Sequence, residues 1–442
     1  MFFVLMVLCL ARRFKQAKIA VTKIITMKKI ILLLLITLSA KLNFGQQVLQ
    51  LAAIIDSIKQ SHPSLKMYDA EGQSMDAAAK GAWSWMPPEA GTGFFMMPYN
   101  PKLTRKTDMG EGMGQYVFAV QQMFPNRKKQ AAEYGYMSTM SSVVKEKKQA
   151  ALNELIAGAK KNYYEWVVIK KKFSVLEQNE KLLDFMIKNA EIRYKNGLGK
   201  LNAYYKAKAA LGNIQNMRLM FENDIRLRRI NLNTLMNRDK ETLFDIDTTF
   251  TIKDYSNFQL DSTAFINSRS DLKAIDREIQ LTGLQQQLER AKLKPEFGFR
   301  YEHMFGFGGQ PLQYTAMAMM KIPFASWSSR MSKANIESLR WRRESLGFER
   351  QMVINELSGM ASNMRTEFNT KRRQLKLYEE NIIPALRNNY RTMQSGYEQN
   401  TEELFELFDA WESLNMAQLE YLDQLQQLLA IQVELERILQ IN

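Results

Sequence analysis

The spacing of apolar positions along this chain changes several times, and the changes run in the same order twice. In 48–85, Leu51, Ile54, Ile55 and Ile58 recur at helical spacing. Ser61-His62-Pro63-Ser64-Leu65 interrupts this pattern, and Pro63 suits the first turn of a new helix. Its later counterpart is Ser268-Arg269-Ser270-Asp271-Leu272. Pro87-Pro88 ends the helix. Residues 91–99 and 115–124 predict two short strands, joined by a loop over 98–114 rich in Pro, Asn and Gly. The later copy is cleaner. After Lys294-Pro295, the residues Phe297, Phe299 and Tyr301 alternate with Glu296, Gly298, Arg300 and Glu302. That is a period of two, with aromatic side chains on one face and polar groups on the other. Residues 305–311 predict a glycine-rich loop, and 314–324 a returning strand.

Each strand pair leads into a long helical pattern. Residues 126–196 contain no proline and only Gly135 and Gly158 as breakers; 326–399 contain Gly347, Gly359, Pro384 and Gly396. Each stretch predicts a helix of about 70 residues, or about 100 Å. A helix of that length does not bury itself in one compact domain, so a coiled-coil or tubular array is expected. Both patterns end in matching turns. The first reads Tyr194-Lys195-Asn196-Gly197, then Leu201 and Ala207; the second reads Tyr397-Glu398-Gln399-Asn400, then Leu404 and Ala410. Gly and Asn tolerate the left-handed backbone that such turns need. Shorter helices return over 201–237 and 401–439.

The domain reading is therefore a first repeat over 47–237, a connector over 238–262 and a second repeat over 263–442. The fold class is mainly α with a small β part, built from duplicated long helical hairpins. An aromatic outer face over a polar inner face is what membrane-barrel strands show, although one soluble half-buried hairpin shows it too. Four strands cannot close a barrel, and an open sheet edge is not viable in lipid. Three chains would supply twelve strands and one helical barrel.

Composition changes the picture at the N-terminus. Residues 27–46 read as an export signal: Met27-Lys28-Lys29, an apolar run over 30–38, then a more polar end near Gly45 and Gln46. Residues 1–26 read as an upstream extension, with an unusually long signal as the alternative. The formal charge of the chain is +15, and residues 1–46 carry eight Lys and Arg and no acid. The exported part thus carries only +7, which weakens a nucleic-acid reading. The single cysteine, Cys9, precedes the cleavage region. Beyond the signal no apolar run is long enough for a membrane helix, so membrane insertion would have to use strands.

This layout resembles the TolC-like outer membrane efflux proteins over nearly all of 48–440. The resemblance rests on the duplicated order, on Gln121-Gln122-Met123-Phe124-Pro125 with its counterpart Lys321-Ile322-Pro323-Phe324, and on Arg193 to Gly197. It rests most specifically on Tyr397 to Ala410. It implies a homotrimeric tube with a barrel in outer-membrane lipid and a helical barrel crossing the periplasm. The two turns would meet a periplasmic adaptor coupled to an inner-membrane pump, with a proton-driven efflux pump the expected type. No reaction is catalysed and no cofactor is implied. A type I secretion duct is the close variant. A soluble coiled-coil scaffold is the rival from another class.

The second turn is followed by Glu402, Glu403, Glu406 and Asp409, and Glu406 and Asp409 share a helix face. A solvated helix start explains such acids. The resemblance implies instead that they line the pore near its periplasmic entrance. Glu402 stands where some relatives carry a basic latch residue. The matching positions of the first turn are Ala203 and Lys206. Arg193, Asn196, Gly197, Leu201, Tyr397, Asn400 and Leu404 are the expected adaptor contacts; turn formation and helix packing also explain them. Methionines crowd both strand regions, among them Met96, Met97, Met317 and Met319. Thioethers favour Cu(I) and Ag(I), and one branch of the family serves heavy-metal efflux, but flexible apolar filling explains methionine as well. His62 and His303 have no ligand spacing. Trp83, Trp85, Tyr99, Tyr116 and Tyr301 suit an interfacial girdle. No phosphate loop, nucleophile motif or Cys/His cluster is present in the sequence.

Overall fold

The computed structural model describes residues 48–108, 110–197, 201–255 and 269–441. The upstream extension with Cys9, the export signal, and the parts of the connector and second repeat at 256–268 lie outside the described residues. In chain order the elements are β1 (Val48–Leu49), α1 (Leu51–Ser61), α2 (Pro63–Lys80), β2 (Glu89–Phe95), β3 (Gln115–Phe124), α3 (Arg127–Lys195) and α4 (Leu201–Leu235). Then follow β4 (Asp245–Ile246), α5 (Ser270–Lys292), β5 (Glu296–Gly306), β6 (Gln313–Lys321), α6 (Arg330–Leu377), α7 (Ile383–Glu398) and α8 (Leu404–Leu439).

The duplicated order is present, with local differences that have physical causes. Val48 and Leu49 are strand where helix was expected. They pair in parallel with Asp245 and Ile246 of the connector, which satisfies backbone groups that a helix start would leave open. Pro63 opens α2 as expected, and His62 Nδ1 accepts the Ser64 backbone N–H at 3.3 Å.

The first long helix, α3, has 69 residues and spans about 100 Å. Its second-half counterpart is not one continuous α-helix. It starts at Arg330 rather than 326, and Tyr378–Ile382 forms one wider π turn between α6 and α7. Pro384 supplies the reason: it lacks an N–H, and its ring crowds the carbonyl one turn earlier. The returning helix α8 begins at Leu404, not 401. Asn400 takes the left-handed conformation (φ 59°), and Thr401 N–H bonds Gly396 O at 2.9 Å, so the turn uses three more residues.

Strands β2, β3, β5 and β6 form one sheet in that order, every neighbour antiparallel. Among the described residues β2 and β6 each have one strand neighbour and one open edge. The register puts Phe94, Tyr116, Phe118, Phe124, Phe297, Phe299, Tyr301, Phe305, Tyr314 and Met320 on one face, and all ten are exposed. The opposite face carries Glu296, Arg300, Glu302, Gln121 and Gln313.

Helix α3 is the spine, packed by α2, α4, α5 and α8. Leu176, Asn179, Leu183, Met186 and Ala190 are all buried along it, at alternating steps of three and four, the spacing of a coiled-coil seam. Above them Trp166, Val167 and Tyr163 pack with Ile54, Ile58, Leu232 and Phe244, joining α1, α3, α4 and the connector. A second cluster, with Val168, Phe368, Leu428 and Leu435, joins α3 to α6 and α8.

Between these clusters lies a buried ion group. Lys160 Nζ is 2.6 Å from Glu436 Oε2, both side chains being nearly inaccessible, and Lys253 Nζ is 2.9 Å from Oε1. Tyr255 O–H donates to the same Oε1 at 3.0 Å. Burial pushes the Glu436 carboxyl up, but the two ammonium groups outweigh it and hold it below its ordinary value. A depressed carboxyl contributes stability that is present above its unfolded pKa and is lost as pH falls through the folded one. Glu436→Gln is expected to lower unfolding stability by about 3–5 kcal/mol at neutral pH, because two lysines lose their buried anion. Denaturant titration of wild type and variant at pH 7 and pH 4 measures this. The gap should narrow as pH falls toward the depressed range of the Glu436 carboxyl, and a gap that does not narrow at all would contradict the assignment.

Candidate functional site: the paired turns and the inner sheet face

The two turns lie side by side, and residues from each complete the other. Asn196 and Gly197 close α3, with Gly197 at φ 72°. The Arg193 guanidinium donates to Asn400 Oδ1 and stacks 4.7 Å from the Tyr397 ring centre. A cleft of about 660 Å³ opens between the turns, with Arg193, Asn202, Asn400, Glu402, Glu403 and Phe405 on its walls.

Among the expected adaptor contacts, Asn196, Gly197 and Asn400 are exposed, and Leu201 lies at the edge of exposure. Tyr397 is different: it is 6% exposed and packs with Leu183, Met186, Leu407 and Trp411. Leu404 is partly buried against the same cluster. Tyr397 is therefore a core residue of the turn and is not on the surface that this chain offers to another protein. Its aromatic ring falls on the buried seam because α7 and α8 must converge there to make the turn.

The four acids also separate. Asp409 Oδ1 is 2.7 Å from Lys206 Nζ, and Lys206 also sits over the rings of Phe405 and Phe408 at 4.1 and 4.5 Å. The repeat sets Lys206 opposite Asp409, so the first turn neutralises one acid of the second. Glu402 bonds Glu406 one helical turn on, and that bond together with the repulsion between the two carboxyls raises Glu402 above its ordinary value. Gly396 makes room for this: a Cβ there would collide with the Glu402 side chain. Gly396 and Lys206 are the residues that a search for acids overlooks. Their signal is the superposition of the two repeats, which aligns position 206 with 409.

The sheet separates the four candidate methionines. Met96 and Met97 follow β2 at the loop end, while Met317 and Met319 lie toward the helices. Eight residues of β5 separate the two levels, about 27 Å. Met317 and Met319 lie on the polar face, opposite Arg300 and Gly298, which does not fit lipid packing. Met123, Gly298 and Met319 form one row across three strands. A Cβ at Gly298 would collide with Met123 Sδ and lie 3.3 Å from Met319 Cε, so two thioether side chains converge over the glycine. Among the described residues no group of His, Cys, Asp and Glu is placed to hold a metal ion. His303 packs edge-on to Phe305, and His62 caps α2.

No protein-family model matches the sequence, and no curated protein matches it. Solved structures do. The outer membrane protein VceC of Vibrio cholerae aligns with a TM-score of 0.70 at 15% identity, covering 88% of this chain and 95% of that one. The MtrE outer membrane channel of Neisseria gonorrhoeae, in its open state, gives 0.69 at 14% identity, with 88% of each chain covered. The CmeC outer membrane channel of Campylobacter jejuni gives 0.69 at 11% identity, covering 88% and 85%. This chain has the fold of those outer-membrane channels along nearly its whole described length.

Proposed function

We propose that three copies of this chain form the outer-membrane exit duct of a tripartite efflux pump, a conduit and not an enzyme. The observation that carries this reading is the four-stranded sheet itself. Its aromatic face is exposed, its other face is polar, and both edges are open, all at one end of a helix about 100 Å long. Twelve strands from three chains would close a barrel in outer-membrane lipid, and the helical hairpins would extend into the periplasm. Among the described residues no helix is long and apolar enough to cross a membrane, which leaves strands as the spanning element. The likeness in fold to outer-membrane channels supports the same reading.

In this reading the paired turns form the periplasmic tip. Asn196, Gly197, Leu201 and Asn400 are the surface for a periplasmic adaptor, and an inner-membrane pump, proton-driven, supplies the energy. Glu402, Glu403 and Glu406 supply the charge of the entrance. Asp409 contributes less, because Lys206 balances it within the chain. The cargo is metal ions or small toxic compounds. The convergence of Met123 and Met319 on the inner face favours soft metal ions among them. A type I secretion duct shares the same architecture. A scaffold without a pore has no use for an exposed aromatic sheet face.

Two measurements follow. In planar bilayers the wild-type protein is expected to conduct with a preference for cations that grows as pH rises and the Glu402–Glu406 pair loses its proton. Glu402→Gln with Glu406→Gln should lower that preference and flatten its pH dependence, and Asp409→Asn alone should change it less. Equal selectivity in wild type and the double variant would remove these carboxylates from the entrance. On a deletion strain, restored wild-type protein should raise tolerance to silver, copper or lipophilic dyes. Silver tolerance that is the same with Met123→Leu and Met319→Leu would count against the thioether row as part of the path.

A further inference from the structure

The junction between sheet and helices carries a feature that the conduit itself does not need. On the outer face the last row of the sheet is Phe124, Phe297 and Met320, all exposed. Trp85 packs edge-on against Phe124 at 5.4 Å, and Trp327, with 81% exposure, stands just beyond β6. Tryptophan and phenylalanine at such a boundary mark the level where hydrocarbon gives way to headgroups.

Immediately past this row the chain places cations side by side. Asn126 ties the two segments together: its Oδ1 accepts the Lys128 backbone N–H at 2.9 Å, and its Nδ2 donates to Pro295 O at 3.1 Å. This sets Lys128 and Lys294 beside each other at the foot of the neighbouring strands β3 and β5. Lys294 is held below its ordinary value, by partial loss of water and by repulsion from Lys128. The neighbouring charges do not relieve the pair. Glu296 is the carboxylate nearest in sequence; it is buried and bonded to Lys129 at 2.7 Å, with Lys321 at 3.9 Å. Among the described residues no ion pair joins an acid to Lys128 or Lys294. Arg127 adds a third exposed cation on α3, and Arg330 opens α6 in the same way in the second half. Cations in the first turn of a helix also face its positive end, which an anion would offset.

We infer that Lys128 and Lys294, set by Asn126 below the aromatic row, form a docking surface for the phosphate headgroup of an anionic phospholipid in the leaflet next to the helices. The aromatic row receives the acyl chains, and the ammonium pair receives the charge. This rests on the membrane reading above, since a phospholipid at this height presupposes a sheet inserted in a bilayer. A lipid carrying net negative charge suits two unbalanced ammonium groups better than a zwitterionic one, whose own cation competes for the phosphate.

The test uses the assembled protein in detergent with mixed micelles containing equal amounts of phosphatidylglycerol and phosphatidylcholine. Native mass spectrometry then reads which lipid stays bound. The wild type is expected to retain phosphatidylglycerol over phosphatidylcholine by about fivefold or more, the order expected for one or two cations at a charged surface. Lys128→Gln with Lys294→Gln should bring the ratio close to one. Lys128→Arg with Lys294→Arg should keep it, which guards against a folding defect. Lys181→Gln with Lys188→Gln, on the same helix far from the sheet, should leave it unchanged. Equal retention of both lipids by the wild type, or an unchanged ratio in the double Gln variant, overturns the inference. So does displacement of the lipid by millimolar inorganic phosphate, which would make the site one for free anions. A protein that conducts in bilayers yet shows no lipid preference loses this inference alone. A protein that does not insert loses the membrane reading itself.

Discussion

Backbone hydrogen bonding at two sheet edges governs this molecule. Strands β2 and β6 each present an outer row of N–H and C=O groups with no strand partner among the described residues. The sheet between them turns ten large apolar side chains outward. In water that combination invites aggregation, and in lipid each unmet peptide group costs several kcal/mol. In the proposed reading one arrangement meets both demands, closure against further copies in a bilayer. The helices would then inherit the same symmetry, because α3 and α6 begin only a few residues after β3 and β6.

From that closure the rest takes its place. Long helices set around a sheet closed in this way would continue it as a tube, and α3 carries the seam that holds the two repeats together. The buried Glu436 group pins the connector between them, since Lys253 and Tyr255 come from the connector while Lys160 comes from α3. At the far end the repeats meet again, through Arg193 with Asn400 and Lys206 with Asp409. The two halves are therefore similar in backbone and complementary in charge. The π turn near Pro384 gives only the second half a change of helical pitch, so the halves are not mechanically equivalent either.

Much of the fold was legible because it rests on period and punctuation. The alternation from Phe297 to Tyr301 needed only the rule that successive strand residues face opposite ways, and Gly197 and Asn400 needed only the left-handed region. What sequence reading missed depends on partners far away in the chain. Val48 and Leu49 look helical until the connector offers them a strand. Tyr397 looks like a tip residue until α8 folds back over it. Met317 and Met319 share a face in any reading, but which face only the register with Arg300 and Gly298 decides. The acids after Asn400 were visible as a cluster. That Asp409 is neutralised by Lys206, while Glu402 turns to Glu406, depends on how the second turn lies against the first.

The central claim is that the sheet closes by pairing β2 of one chain with β6 of the next, and cysteine cross-linking tests it most directly. The only native cysteine is Cys9, ahead of the expected cleavage region, so introduced thiols report without background. Single cysteines at positions along β2, such as Thr92→Cys, would be combined with single cysteines along β6, such as Ala316→Cys, and oxidised in isolated membranes. At matching heights the pairs should give covalent dimers and trimers, and no product larger than three chains. Purely intrachain products, or no cross-link at any height along the two strands, would contradict closure and with it the duct.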